Sequence, residues 1–159
     1  MDIEVDGKDR GRLDIELFGK KAPATVNNFL AFCAGDFDPY MRYKGCSFHR
    51  ITEQRFVQSG DFTNLDGTGS ATVYPTEHNP RIFKTTMPAE DNDLEFIEPY
   101  MLAMAANEEG ETGSQFFITT APLTPLNGSQ HTIIGRLING KQTLDIMEGV
   151  QEFRMYEKA

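Results

Sequence analysis

Apolar residues alternate with polar ones at Ile3 and Val5 and again at Leu13, Ile15 and Leu17, the period-two pattern of half-buried strands. The glycine-containing turns between them predict that these two runs pair as a hairpin. At Ala22-Pro23 the period changes: Val26, Phe29, Leu30 and Cys33 recur at helical spacing, and Gly35 stands where a helix would stop. After a loop from Asp36 to Gly45, Cys46 to Ile51 and Arg55 to Gln58 read as short strands around a turn. From Thr63 to Pro99 the pattern is irregular, which is long for a connection in a compact domain. Met101 to Ala105, Gln115 to Thr120 and Thr132 to Leu137 are further strand candidates. Gln142 to Gly149 reads as a second helix with Leu144 and Met147 inward, and Glu152 to Glu157 as a closing strand. Many short strands, one helix early and one late, and no alternating strand-helix repeat predict a mainly β barrel capped by helices.

Length adds that this is one domain, spanning 1–159, large enough to bury roughly two thirds of its unfolded surface without a metal or a disulfide. A net charge of −9 excludes a nucleic-acid-binding face, which needs clustered Lys and Arg. The acidic runs at 89–93 and 107–111 read as solvated loops. Cys33 and Cys46, without paired spacing, read as reduced, buried thiols. The N-terminus has neither the basic start nor the apolar run of a signal peptide, and no stretch reaches membrane-spanning length. An intracellular setting follows, cytoplasmic or nuclear, or organellar if a targeting segment has been removed.

Candidate chemistry centres on Phe48-His49-Arg50-Ile51. Alternation places Arg50 and Phe48 on one strand face, with His49 and Ile51 on the other, so a permanent cation shares a face with an aromatic ring. Two other readings fail. Asp66-Gly67-Thr68-Gly69-Ser70 resembles a phosphate cradle, but the lysine and following helix of such a loop are missing. His49, His78 and His131 lack metal-ligand spacing, so no metal is expected.

The ordered blocks Gly11-Arg12, Ala22-Pro23 with Asn28-Phe29, Tyr43-Lys44-Gly45, Phe48-His49-Arg50-Ile51, Gln58-Ser59-Gly60-Asp61-Phe62, Gly67-Thr68-Gly69, Gly113-Ser114-Gln115-Phe116-Phe117-Ile118, Leu126-Asn127-Gly128 and His131-Thr132-Ile133-Ile134-Gly135 resemble those of the cyclophilins, the peptidyl-prolyl cis-trans isomerases, over nearly the whole chain. The resemblance implies an eight-stranded antiparallel barrel capped by two α-helices, with a groove on its outer surface for proline-containing peptides or proteins and no cofactor. It implies catalytic roles for Arg50, Gln58 and Gln115. It implies substrate contacts from His49, Phe56, Phe117, Leu126 and His131, and from the backbone at Ala105 and Ala106.

The chemistry of the bond suits such a site. Rotation about a peptide bond is opposed by ~18–20 kcal/mol because the nitrogen shares its lone pair with the carbonyl. In the twisted transition state the prolyl nitrogen regains that pair, so a fixed donor aimed at it favours that state over either planar one. A guanidinium supplies several donors in one plane and never loses its charge, whereas lysine is a mobile point charge.

Four departures from the family pattern stand out. Arg55 replaces a pocket phenylalanine; it either brings a second cation into the groove or turns to solvent and leaves Phe56 to fill the gap. Pro125 replaces a tryptophan that assists cyclosporin binding, so weak binding of that drug is expected. Ala105-Ala106-Asn107 replaces Ala-Asn-Ala. The stretch from Pro75 to Glu98 is long, and the chain after Gly149 short. These departures motivate an alternative, a weakly active or inactive binding module within a multiprotein complex.

Overall fold

The computed structural model describes residues 1–156, with side chains as far as residue 150. Strand β1 (Asp2–Val5) pairs antiparallel with β2 (Lys8–Arg12), Val5 facing Lys8 across Asp6 and Gly7. Both turn residues have positive φ, 52° and 74°, as a two-residue hairpin turn of matching twist requires. The expected pairing of 3–5 with 13–17 is therefore corrected, because the tight turn closes the hairpin five residues earlier. β3 (Asp14–Leu17) leaves it to pair with β9 (Ile133–Asn139) in a larger sheet. Leu13, buried between the two, exchanges main-chain hydrogen bonds with Met1 at 2.8 and 2.7 Å.

The larger sheet is antiparallel and seven-stranded. Its path runs β3-β9-β7-β8-β5-β4, where β4 is Arg50–Thr52, β5 Phe56–Ser59, β7 Met101–Ala106 and β8 Glu111–Thr119, with the two-residue β6 (Met87–Pro88) also on β8. Helices α1 (Pro23–Ala34) and α2 (Lys141–Tyr156) cover it. The molecule is thus mainly β with two helices, as expected, although the described residues divide into nine strands where eight were anticipated. The strand expected from Cys46 begins only at Arg50; beyond it the ladder gives way to a single bond from Ser59 Oγ to Ser47 O, 2.8 Å. The closing strand expected at 152–157 is helix as far as Tyr156, Glu157 lying outside the described residues. Gln151, Glu152, Arg154 and Met155 are good helix formers, and a lone Gly149 costs too little to stop them.

Alternation along β7, β8 and β9 gives the sheet two apolar faces. Leu102, Met104, Phe116, Ile118 and Ile134 point into the main core with Val57, Phe29 and Val26 of α1, and Leu144 and Met147 of α2. Ala103, Phe117 and Ile133 point outward into a second cluster with Phe96 and Leu123. On α1 the buried face is Thr25, Val26, Asn28, Phe29 and Phe32. Leu30 is half exposed, Cys33 is exposed and Cys46 only partly covered, so neither thiol is a core group as expected. The helix ends where anticipated: Gly35, at φ 70°, caps it with its N–H on Ala31 O, 3.0 Å.

Candidate active site

The register of the sheet assembles a polar and an apolar patch side by side. Arg50 lies opposite Gln58 across β4 and β5, Thr52 opposite Phe56, and Gln58 opposite Phe117 on β8, so Arg50, Phe56, Gln58, Gln115 and Phe117 share the outer face. Arg50 is exposed, and its guanidinium lies over the Phe56 ring, 5.1 Å from the centroid. The pairing with Phe48 expected from alternation is not formed. Phe48 precedes the strand, so the period does not extend to it, and its ring packs inward, edge-on to Phe116 at 6.2 Å. Among the described residues no carboxylate forms an ion pair with Arg50.

Phe117 forms the floor of the apolar patch. Its ring meets Phe56 at 5.4 Å, Phe96 in a stacked pair at 6.0 Å and His131 edge-on at 5.4 Å. Leu126, in the short 3-10 helix Thr124–Leu126, packs against the same cluster. His131 is held by Nδ1 at 3.1 Å from Met104 O. Arg55 is exposed in the turn before β5, and the next residue, Phe56, supplies the wall beside Phe117. Pro125 is likewise exposed. Ala105 and Ala106 lie half-covered at the end of β7, past its last β9 partner at Ala103.

Beside Arg50 the amides are connected. Gln58 Nε2 donates to Gln115 Oε1 at 2.9 Å, and Gln115 Nε2 donates to the carbonyls of Gly67 and Gly69 at 2.8 and 2.7 Å. The glycine loop is folded about Asp61, which sequence reasoning passed over. Its buried carboxylate accepts from five main-chain N–H groups: Thr63 and Asn64 on Oδ1 at 3.1 and 2.8 Å, Asp66, Gly67 and Gly69 on Oδ2 at 3.2, 2.8 and 2.9 Å. Burial pushes its pKa up, but these N–H groups outweigh burial and hold it well below the usual carboxylate range. The supposed phosphate cradle thus surrounds the chain's own anion. The signal available in sequence was an aspartate leading into a turn-rich, glycine-punctuated loop. His49 packs its ring against Gly67, and burial lowers its pKa, Asp61 and Asp66 opposing and Arg50 assisting. Phe96 was also missed, because it stands in the irregular segment.

Residues 1–158 match the family described as cyclophilin type peptidyl-prolyl cis-trans isomerase/CLD. A curated relative, peptidyl-prolyl cis-trans isomerase 9 of Caenorhabditis briggsae, is 33% identical over 157 residues, 95% of this chain and 47% of the relative. The chain therefore spans about half the length of that relative. A crystal structure of a Cryptosporidium parvum cyclophilin-type peptidyl-prolyl cis-trans isomerase, in the presence of the dipeptide Ala-Pro, superposes with a TM-score of 0.73 at 32% identity, covering 87% of this chain and 80% of that one. A second structure of the same parasite protein gives the same TM-score and identity. Among the described residues no helix is long and apolar enough to cross a membrane.

Proposed function

The chain belongs to the cyclophilin-type peptidyl-prolyl cis-trans isomerase family, and from that premise we propose that it catalyses rotation about X-Pro bonds in peptides and proteins, assisting folding or conformational switching. The observation that carries this reading is Arg50, a cation without a carboxylate partner among the described residues, lying over Phe56 on the strand face that leads to the Phe117 floor. The Ala-Pro dipeptide named for the parasite structure is consistent with a proline seat here.

In this mechanism the proline ring rests on Phe117 between Phe56, Leu126 and His131, and that grip fixes one side of the bond. Ala105 and Ala106 offer main-chain groups to the extended peptide, so the residue before proline is held by backbone contacts. Arg50 donates to the prolyl nitrogen as its lone pair emerges, an interaction absent while the bond is planar. Gln58 keeps the guanidinium in register, and Gln115 acts through Gln58. The exposure of Arg55 supports its solvated orientation, with Phe56 filling the gap in the seat, and Pro125 leaves no tryptophan for cyclosporin, which is expected to bind weakly. The match over residues 1–158 supports reading 1–159 as one isomerase domain, and two free thiols suit a reducing, intracellular compartment.

A protease-free assay on a proline tetrapeptide tests the reading. Arg50→Ala is expected to lower kcat/KM by about 10²–10³-fold, the scale of removing one preorganised donor, and Arg50→Lys by nearly as much. Equal rates for wild type and Arg50→Ala would overturn it.

A further inference from the structure

The amides beside Arg50 form a directed chain whose direction is set outside the groove. A carboxamide has one donor end and one acceptor end. Two carbonyls, Gly67 O and Gly69 O, face the end of Gln115, so its nitrogen must lie there; a reversed amide would set three oxygens against one another. The oxygen of Gln115 then faces Gln58 and draws the nitrogen of that side chain. What remains at Gln58 is its oxygen, an acceptor on the strand face that also carries Arg50. Arg50 has donors only, so the order of ends matters. A reversed chain would present an NH2 group to a guanidinium, two donors with nothing to accept.

Both carbonyls stand where they do because the loop is wrapped about Asp61. The five N–H bonds gather residues 63–69 round one buried charge, and the wrapping is tight: a Cβ on Gly69 would lie 2.2 Å from Asp61 Oδ1. Gly69 does not have positive φ, so the nearby carboxylate and Thr63 Cβ, which a Gly69 Cβ would meet at 2.8 Å, are what exclude a side chain there. We infer that Asp61 is a positioning residue that sets the polarity of the Gln115–Gln58 relay, holding the loop carbonyls against Gln115 so that Gln58 turns its acceptor end toward Arg50. The effect on turnover rests on the isomerase reading above; the polarity of the relay does not.

The experiment follows the side-chain NH2 groups of Gln58 and Gln115 by NMR alongside the kinetics. In the wild type both should exchange with water at least about ten times more slowly than a free carboxamide such as that of the exposed Gln142, since both are bonded. Free-like exchange in the wild type would overturn the relay without recourse to any variant. Asp61→Asn keeps the size, removes the charge and sets an NH2 group against N–H groups that now meet an oxygen, so the loop loses its hold on both counts. It should shift both carboxamide signals, speed their exchange, and lower kcat about ten-fold with KM changed less than two-fold, because the apolar floor is untouched. A folded Asp61→Asn protein with wild-type carboxamide signals would refute the inference, as would an activity loss matched by the unfolded fraction alone. If that variant does not fold, Gly69→Ala, which keeps the charge and forces the loop off it, should move the same two signals, and unmoved signals there would also refute it. A wild type that fails to isomerise prolyl peptides at all would sink only the functional reading, the carboxamide signals still deciding the relay.

Discussion

At the scale of single residues, the two arginines of the β4–β5 hairpin, both exposed, show how partners assign different work to one side-chain type. Arg50 lies over an aromatic face, a contact of about 0.5–1 kcal/mol at an exposed site, enough to bias its orientation without sequestering its donors. Arg55 has neither aromatic nor carboxylate contact among the described residues, and it sits beside the residue that walls the proline seat. Replacing it with an aromatic would extend that wall. Arg55→Phe is therefore expected to lower KM for a proline tetrapeptide by about two- to ten-fold, the scale of one aromatic contact, with kcat unchanged because Arg50 and Gln58 are untouched. An unchanged KM would mean that position 55 lies beyond the reach of bound substrate.

At the scale of elements, the segment from 63 to 99, which lacks a period of its own, supplies what its neighbours lack. Helix α1 has Ala22 at its N-terminal boundary and no side-chain cap within its own sequence. The missing acceptor comes from Glu90, whose Oε1 takes the Thr25 N–H and hydroxyl, the latter at 2.6 Å, placing a carboxylate at the positive end of the helix dipole. Glu90→Ala is expected to lower stability by about 1–2 kcal/mol in urea unfolding at neutral pH, while kcat/KM is unchanged, since among the described residues the carboxylate bonds only to Thr25. A shift smaller than the error of the fit would remove the cap from the account. This arrangement also shows what the sequence could and could not convey. Strands β7, β8 and β9 and the stop at Gly35 were legible because each follows from local period or local backbone freedom. The partner of β3, the ring beneath Arg50 and the anion inside the glycine loop were not, since each depends on a contact made across many residues or on where a strand begins. Arg50, Gln58 and Phe117 could be named from motif positions, but their placement on one face needed the register of three strands, which no single segment encodes.

At the scale of the molecule, the net charge of −9 makes acid the informative perturbant, because among the described residues most carboxylates are at least partly solvated and Asp61 alone is buried. Asp61 is held below its unfolded value, about 3.9, so the folded state binds fewer protons than the unfolded chain as pH passes through that range. Its contribution to stability is then fully present above about pH 4 and is lost as pH falls toward its lower folded value. Asp2, bonded to Arg12, and Asp93, bonded to Lys21, are shifted in the same direction, but these pairs are exposed and salt screens them. Salt therefore separates the buried anion from the surface ones. Urea midpoints of wild type and Asp61→Asn measured at pH 7 in 0.5 M salt should differ by the equivalent of about 3 kcal/mol or more, since a buried group that accepts five bonds loses its charge. The gap should narrow steadily below pH 4, because the unfolded wild-type chain there takes up a proton at Asp61 that the folded state does not. A gap as wide at pH 3 as at pH 7 would show that the loop is held by shape and not by the charge at its centre.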